Sequence, residues 1–204
     1  WYQLHELWHL DWSAWQAATP AERRTRTQQF ADWLRIAAAA GGKGDAACYG
    51  VVGQKADLLL LFYRESPAAL HEAQQSFRRL GLARFCTPAY SYLSVIEASL
   101  YEVQAIAHWK LAERKIAPGS PDYAAALDEE LAKQRKVLEA RLFRSIPEAR
   151  HICFYPMNKR RGEQVNWYAL PMDERRKLMK GHGRVGQKYG QQVTQVIGGS
   201  IGLD

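Results

Sequence analysis

Cysteine is scarce in this chain and carries no pairing pattern. Cys48, Cys86 and Cys153 form an odd, widely spaced set with no CxxC pair. That spacing argues against a disulfide framework and against a zinc site, and it points to reduced thiols in a cytoplasmic protein. Long apolar runs are missing as well. Residues 58–62 and 193–197 are strand-sized, far short of a bilayer-crossing helix, so no membrane span is expected. The N-terminus lacks the basic-then-apolar pattern of a signal peptide. It opens on Trp1 rather than Met, and a few leading residues are expected to be absent. No Arg/Lys-rich tail and no basic run interleaved with aromatics is present, so nucleic acid is not singled out as a partner.

What is present describes a globular chain. Of 204 residues, 47% are hydrophobic and 24% charged, which excludes a disordered composition and leaves room for a real core. Seven Trp and ten Tyr are generous for this length, although a well-filled core accounts for them without any function. The formal charge of +7 suits an anionic partner, whether nucleic acid, acidic lipid or a polycarboxylate ligand.

The order of elements is readable along the first hundred residues. Residues 2–8 alternate in the manner of a strand. Thr19-Pro20-Ala21-Glu22 opens a helix, with Thr19 as cap, Pro20 in the first turn and Glu22 completing a capping box. Gly41-Gly42 ends it. Two β-rich runs, 47–53 and 57–63, are joined by a short turn at 53–56. Ser66-Pro67 starts a second helix with Leu70, Ala73, Phe77 and Leu80 on one face, and 90–97 reads as another strand. The order β-α-β-β-α-β is the ferredoxin-like unit. Residues 102–140 read as a charged helical connector broken at Pro118-Gly119-Ser120-Pro121, with Leu127, Leu131, Val137 and Leu138 as a weak apolar stripe. A second pass of the same grammar begins near residue 150, with a strand at 151–158, a helix near Pro171-Met172-Asp173-Glu174 and a strand at 192–198. The expected division is therefore 1–101 for the first unit, 102–149 for the connector and 150–204 for the start of the second. The remaining strands are not supplied before Asp204, so the second unit is expected to be truncated at its C-terminus.

The chemistry concentrates in that second unit. On a strand, His151, Cys153, Tyr155, Met157 and Lys159 share one face. A redox-capable phenol, a thioether and an ammonium in a row suit a large, flat, anionic, redox-active ligand better than an ordinary core. On the helix from about 172, Leu178, Met179 and His182 share a side. A lone histidine there is commonly a core or capping residue. If it binds a metal, one imidazole with no nearby His, Cys or carboxylate suits haem iron better than tetrahedral zinc. Gln195 lies between Val193 and Ile197 on one strand face, either as a water-bridged amide or as a neutral donor over a metal-bound ligand. Tyr155 is equally readable as a core tyrosine whose hydroxyl finds a backbone partner. Arg141 and the run from Lys159 to Arg161 are equally readable as solvated charge. Gly198-Gly199-Ser200-Ile201-Gly202 does not open a helix and is set aside as a nucleotide loop. His5 and His9, four apart on a strand, are about 13 Å apart and do not share one ion.

Together these residues resemble the chlorite-dismutase-like haem protein family, and within it the coproheme decarboxylase branch. The resemblance rests on 53–58, on Tyr90-Ser91-Tyr92-Leu93-Ser94-Val95, and above all on Ile152-Cys153-Phe154-Tyr155-Pro156-Met157-Asn158-Lys159-Arg160-Arg161. It continues through Asn166-Trp167-Tyr168, Leu170-Pro171-Met172, His182-Gly183 and 197–202. It implies an α+β fold in which tandem ferredoxin-like units form a dimeric α+β barrel, assembled as a homopentamer with the haem pocket in the C-terminal unit. By position, His182 resembles the proximal iron ligand and Tyr155 the tyrosine that becomes the reactive radical. Lys159 resembles the lysine near a propionate, Met157 a pocket wall, Arg141 a propionate-binding arginine and Gln195 the distal glutamine.

The implied reaction is the hydrogen-peroxide-dependent decarboxylation of iron-coproporphyrin III (coproheme) to haem b through a three-propionate intermediate. This is the last step of coproporphyrin-dependent haem biosynthesis. Coproheme is then both substrate and redox centre, and a transient contact with coproporphyrin ferrochelatase is implied. Chlorite dismutases carry a distal arginine where this chain has neutral Gln195, so the resemblance disfavours chlorite dismutation. The connector 102–138 is longer and more charged than the branch leads one to expect. A chlorite dismutase or haem peroxidase, a non-catalytic haem carrier and a ferredoxin-like scaffold without haem remain as alternatives.

Overall fold

The computed structural model describes residues 1–97 and 100–202, apart from the side chains of 100–106, 134, 136 and 137. The chain forms two compact units, residues 1–146 with 197–204, and residues 147–196.

The first unit is an antiparallel α+β structure. Its elements run β1 (Tyr2–Leu10), α1 (Trp12–Ala17), α2 (Pro20–Ala39), β2 (Gly44–Gly50), β3 (Leu58–Arg64), α3 (Pro67–Arg78) and β4 (Cys86–Ile96). Helices α4 (Leu100–Glu113) and α5 (Tyr123–Leu142) come next. A late strand, β5 (Gly198–Ser200), returns to the sheet, whose order is β2-β3-β1-β4-β5. The first four strands have the ferredoxin-like arrangement expected from β-α-β-β-α-β.

Local chemistry sets the helix ends. Thr19 Oγ1 accepts from the Glu22 amide at 3.2 Å, with Pro20 in the first turn. Ser66 Oγ accepts from the Ala69 amide at 3.2 Å. Each satisfies one of the amides that a helix start leaves unpaired. Helix α2 ends where Ala40, Gly41 and Gly42 take positive φ values of 36°, 58° and 78°, a conformation that the two glycines, unlike Ala40, adopt without a Cβ penalty. The short α1, capped by Asp11, has no counterpart among the elements expected from the sequence.

One face of the sheet packs under α2 and α3. Leu4, Trp8, Leu60 and Phe62 meet Leu70, Ala73 and Phe77 there, with Phe30, Trp33 and Leu80 at the margin. Trp8, Trp33 and Phe30 each stand with ring centroids 5.1–6.1 Å from Phe77, within the range of favourable aromatic pairing. The generous aromatic count is thus partly spent on this core. The connector is helical and interrupted between α4 and α5 as expected. Ala107, Leu111 and Ala126 are buried in it, rather than the expected leucines, of which Leu127, Leu131 and Leu138 are half-buried. The side chain of Val137 lies outside the described residues.

The second unit contains helix α6 (Met172–Gln187). Pro171 precedes it, and Asp173 and Glu174 occupy its first turn, where carboxylates face the positive end of the helix dipole. Two expected strands are corrected. Residues 151–158 form no strand: no described segment makes a ladder with them, and Pro156 has no amide hydrogen to give. The strand expected over 192–198 is instead the three residues of β5, pairing with Ser94–Ile96. Gly198 fits that edge because a Cβ would collide with Gln3 Oε1 and Ser94 Oγ, and Gly199 because one would collide with Glu97.

Candidate functional site

Tyr155, Met157, Lys159, His182 and Gln195 all belong to the second unit, whereas Arg141 lies in the last turn of α5 in the first. In that last turn the Arg141 cation complements the helix C-terminus. All six residues are exposed. None of residues 147–196 is buried, and several of its large apolar side chains are exposed. Tyr155 is 55% exposed, Met157 68%, Leu178 50%, Met179 44% and Val185 56%. The alternating face expected for 151–159 therefore does not exist as a strand face. Gln195 likewise is no buried amide between two β-branched neighbours; it sits in an exposed loop, where hydration removes the desolvation cost.

A tight turn organises the chain beyond Tyr155. The Gly162 amide donates to the Val165 carbonyl at 3.0 Å, and the Trp167 amide to the Arg160 carbonyl at 2.8 Å. Arg161 and Asn166 face each other as an antiparallel bridge. Asn166 Oδ1 accepts from the Tyr168 amide at 2.9 Å, capping the short helical turn Trp167–Ala169. The two arms thus put cations against aromatic rings. Lys159 Nζ stands 4.6 Å from the Trp167 ring centroid. The Arg161 guanidinium carbon stands 4.7 Å from that of Tyr168, and its Nη2 donates to the Tyr168 hydroxyl at 3.3 Å.

Lys159 also reaches helix α6. Its Nζ donates to Met179 Sδ at 3.5 Å, and Met179 precedes His182 by three residues, on the same helix side. The segment that carries Tyr155 and the helix that carries His182 are therefore tied through one ammonium. Trp167, Tyr168 and Met179 are contacts of Lys159 and Arg161 to which sequence reasoning assigned no role. The signal was present in the two cations at 159 and 161, the two aromatics at 167 and 168, and the glycine between them. Helix α6 itself runs past Gly183 to Gln187, so His182 lies within the helix rather than at its stop.

No group of three or more His, Cys, Asp or Glu side chains among the described residues is arranged to hold a metal ion. His182 is a single exposed imidazole on a helix whose Leu178, Met179 and Val185 are also exposed, and Met179 of that helix meets Lys159. The largest shifts in acidity lie elsewhere, in the first unit. Burial lowers His5 to about 4 against a weaker opposing backbone hydrogen bond, and burial raises the Cys48 and Cys86 thiols to about 11. A cleft of about 500 Å³ at the turn between α4 and α5, lined by His108, Lys115, Ile116 and Tyr123, contains none of the six predicted residues.

Comparison with known proteins points in the same direction. The model of the family described as chlorite dismutase matches residues 23–204. A haem-binding protein from Thermus thermophilus is 34% identical, with a TM-score of 0.74, covering 98% of this chain and 71% of its own. A mutant chlorite dismutase from Candidatus Nitrospira defluvii shares the fold at 15% identity, with a TM-score of 0.60, covering 100% of this chain and 71% of its own.

Proposed function

This chain belongs to the chlorite dismutase family, and from that premise we propose that it binds coproheme and converts it to haem b using hydrogen peroxide. The observation that carries the proposal is the Lys159–Met179 contact, which joins the Tyr155 segment to the His182 helix. The haem binding of the 34%-identical Thermus protein supports a porphyrin as ligand. The exposed apolar residues of the second unit offer a surface that a flat macrocycle would cover. The +7 balance suits its four carboxylates.

In this reading His182 holds the iron, and Arg141 and Lys159 anchor propionates through charge-assisted hydrogen bonds. Met157 lines the macrocycle, and Gln195 is a neutral donor on the distal side. Bound iron-porphyrin supplies the oxidising power when peroxide is added. Tyr155 Oη would give its proton to solvent and one electron to that oxidant, and the phenoxyl oxygen would take a hydrogen atom from the β-carbon of a propionate. The carbon radical would lose its remaining electron to the same oxidant as the bond to the carboxylate breaks and CO2 leaves. Each turnover consumes one propionate, one peroxide and one proton, and yields one vinyl group, one CO2 and two waters. Two turnovers give haem b through a three-propionate product. A neutral Gln195 suits uncharged hydrogen peroxide as the oxidant better than anionic chlorite.

The dimeric α+β barrel, the homopentamer and the transient contact with coproporphyrin ferrochelatase belong to the same proposal. So does cytoplasmic residence, supported by three free cysteines. No described helix is long and apolar enough to cross a membrane.

The test is to titrate coproheme into the chain, add peroxide and follow product masses. Two successive losses of CO2 are expected, and Tyr155→Phe should bind coproheme yet release none. Full turnover by Tyr155→Phe removes the radical role. Rapid oxygen evolution from chlorite would favour the dismutase reading, and tight haem b binding without peroxide consumption a carrier.

A further inference from the structure

Lys159 lies between two oxidisable side chains, with its Nζ 4.6 Å from the Trp167 ring centroid and 3.5 Å from Met179 Sδ. The arrangement is built by the backbone: the 160–167 turn closes through hydrogen bonds of 2.8 and 3.0 Å and delivers Trp167 beneath residue 159. An ammonium over an indole is attracted to the negative face of the neutral ring. Removing an electron from that ring would place two positive charges within about one side chain's length. Donation to Sδ likewise engages the lone pair that attacks a peroxide oxygen.

We propose that Lys159 is a positioning residue that guards Trp167 and Met179 against oxidation, so that the oxidising equivalent stays on Tyr155. The inference rests on the peroxide-dependent reading given above, but the protection itself is a property of the chain without porphyrin. Two losses are prevented. In one, the Tyr155 phenoxyl takes an electron from Trp167 and a proton from solvent, restoring the phenol and leaving an indole radical cation. In the other, peroxide transfers an oxygen atom to Met179, giving a sulfoxide and water. Neither step removes a carboxylate.

The chain's own residues supply the controls. Its three methionines are Met157, Met172 and Met179, which are 68%, 53% and 44% exposed. The haem-free chain is treated with hydrogen peroxide, and sulfoxide at each position is followed by peptide mass spectrometry. A one-electron oxidant, the photogenerated azide radical, is used in parallel to compare Trp167 with the other six tryptophans. Lys159→Leu covers the ring without charge; Lys159→Arg keeps the charge.

In Lys159→Leu, oxidation of Trp167 relative to the other tryptophans should rise about two- to fivefold, the factor that an exposed cation–π contact is worth, and oxidation of Met179 relative to Met172 should rise as well. Lys159→Arg should stay near the wild-type rates. Wild-type rates in Lys159→Leu overturn the proposal, and so does a rise in Lys159→Arg as large as in Lys159→Leu, because side-chain fit would then be responsible. If circular dichroism shows that Lys159→Leu does not fold, the wild-type chain decides: Met179 must oxidise more slowly than its exposure relative to Met172 predicts, and a rate in proportion to exposure overturns the proposal. Protection in the haem-free chain without any CO2 release from coproheme would sink the decarboxylase reading while leaving the guard in place.

Discussion

Asp45 Oδ2 accepts a hydrogen bond from the Ile146 amide at 2.8 Å, across 101 residues of chain. The contact fixes the end of the first unit to strand β2, while Asp45 Oδ1 accepts from the Ala46 amide at 2.7 Å. Asp45→Ala leaves the Ile146 amide without this acceptor and should destabilise the fold by about 1–3 kcal/mol. Asp45→Asn, which keeps a carbonyl acceptor, should lose less. Urea unfolding of both variants checks the order.

His5 gives the first unit a pH dependence of known sign. Burial holds its pKa at about 4, below the ordinary 6.5, so the folded state favours the neutral ring. That contribution is complete above pH 6.5. As pH falls from 6.5 to about 4, the unfolded chain takes up the proton and the folded chain does not, and stability drops. The loss is of the order of a few kcal/mol. Unfolding free energies measured across this window should slope less steeply in His5→Gln, and an unchanged slope would assign the effect to another group.

Glu130 is buried between α4 and α5 among three cations, with Lys133 at 2.9 Å, Lys110 at 3.0 Å and Arg114 at 3.7 Å. Hydrogen bonds from Lys133 and Lys110 lower its pKa. Its contribution is therefore present above the ordinary carboxylate range and is lost as pH falls through the lowered value. Glu130→Ala should lower the Tm at pH 7 and flatten its dependence on acid, which differential scanning calorimetry would detect.

His182→Ala tests the iron ligand separately from the radical residue. Coproheme added to this variant should lose the absorption signature of imidazole-bound iron, and imidazole supplied from solution should restore it. A spectrum identical to wild type would move the ligand to another side chain.

The helices were legible because their ends are written locally. Thr19-Pro20, Ser66-Pro67 and Gly41-Gly42 act on neighbours within a turn, and each is found at a helix boundary. The strands of the first unit were legible where alternation met a partner, as in Tyr2–Leu10 between β3 and β4. The same alternation misled over 151–158, because a period of two describes which side a residue would face but not whether a second strand pairs with it. Six candidate residues could be named from their chemistry and family likeness. Trp167 and Met179 escaped because their significance lies in distances to Lys159 that no spacing rule supplies.

By itself the sequence determined the antiparallel α+β plan of the first unit, the helix boundaries and the chemical set of phenol, thioether, ammonium and imidazole. These come from caps, periodicity and side-chain type, all of which act over a few residues. Tertiary structure alone decided that β5 lies at Gly198–Ser200, where its glycines pass close to Gln3, Ser94 and Glu97. It alone decided that Lys159 rests between Trp167 and Met179. Ladders and cation–π contacts join residues distant in the chain, and their energies exist only once folding has brought the partners together.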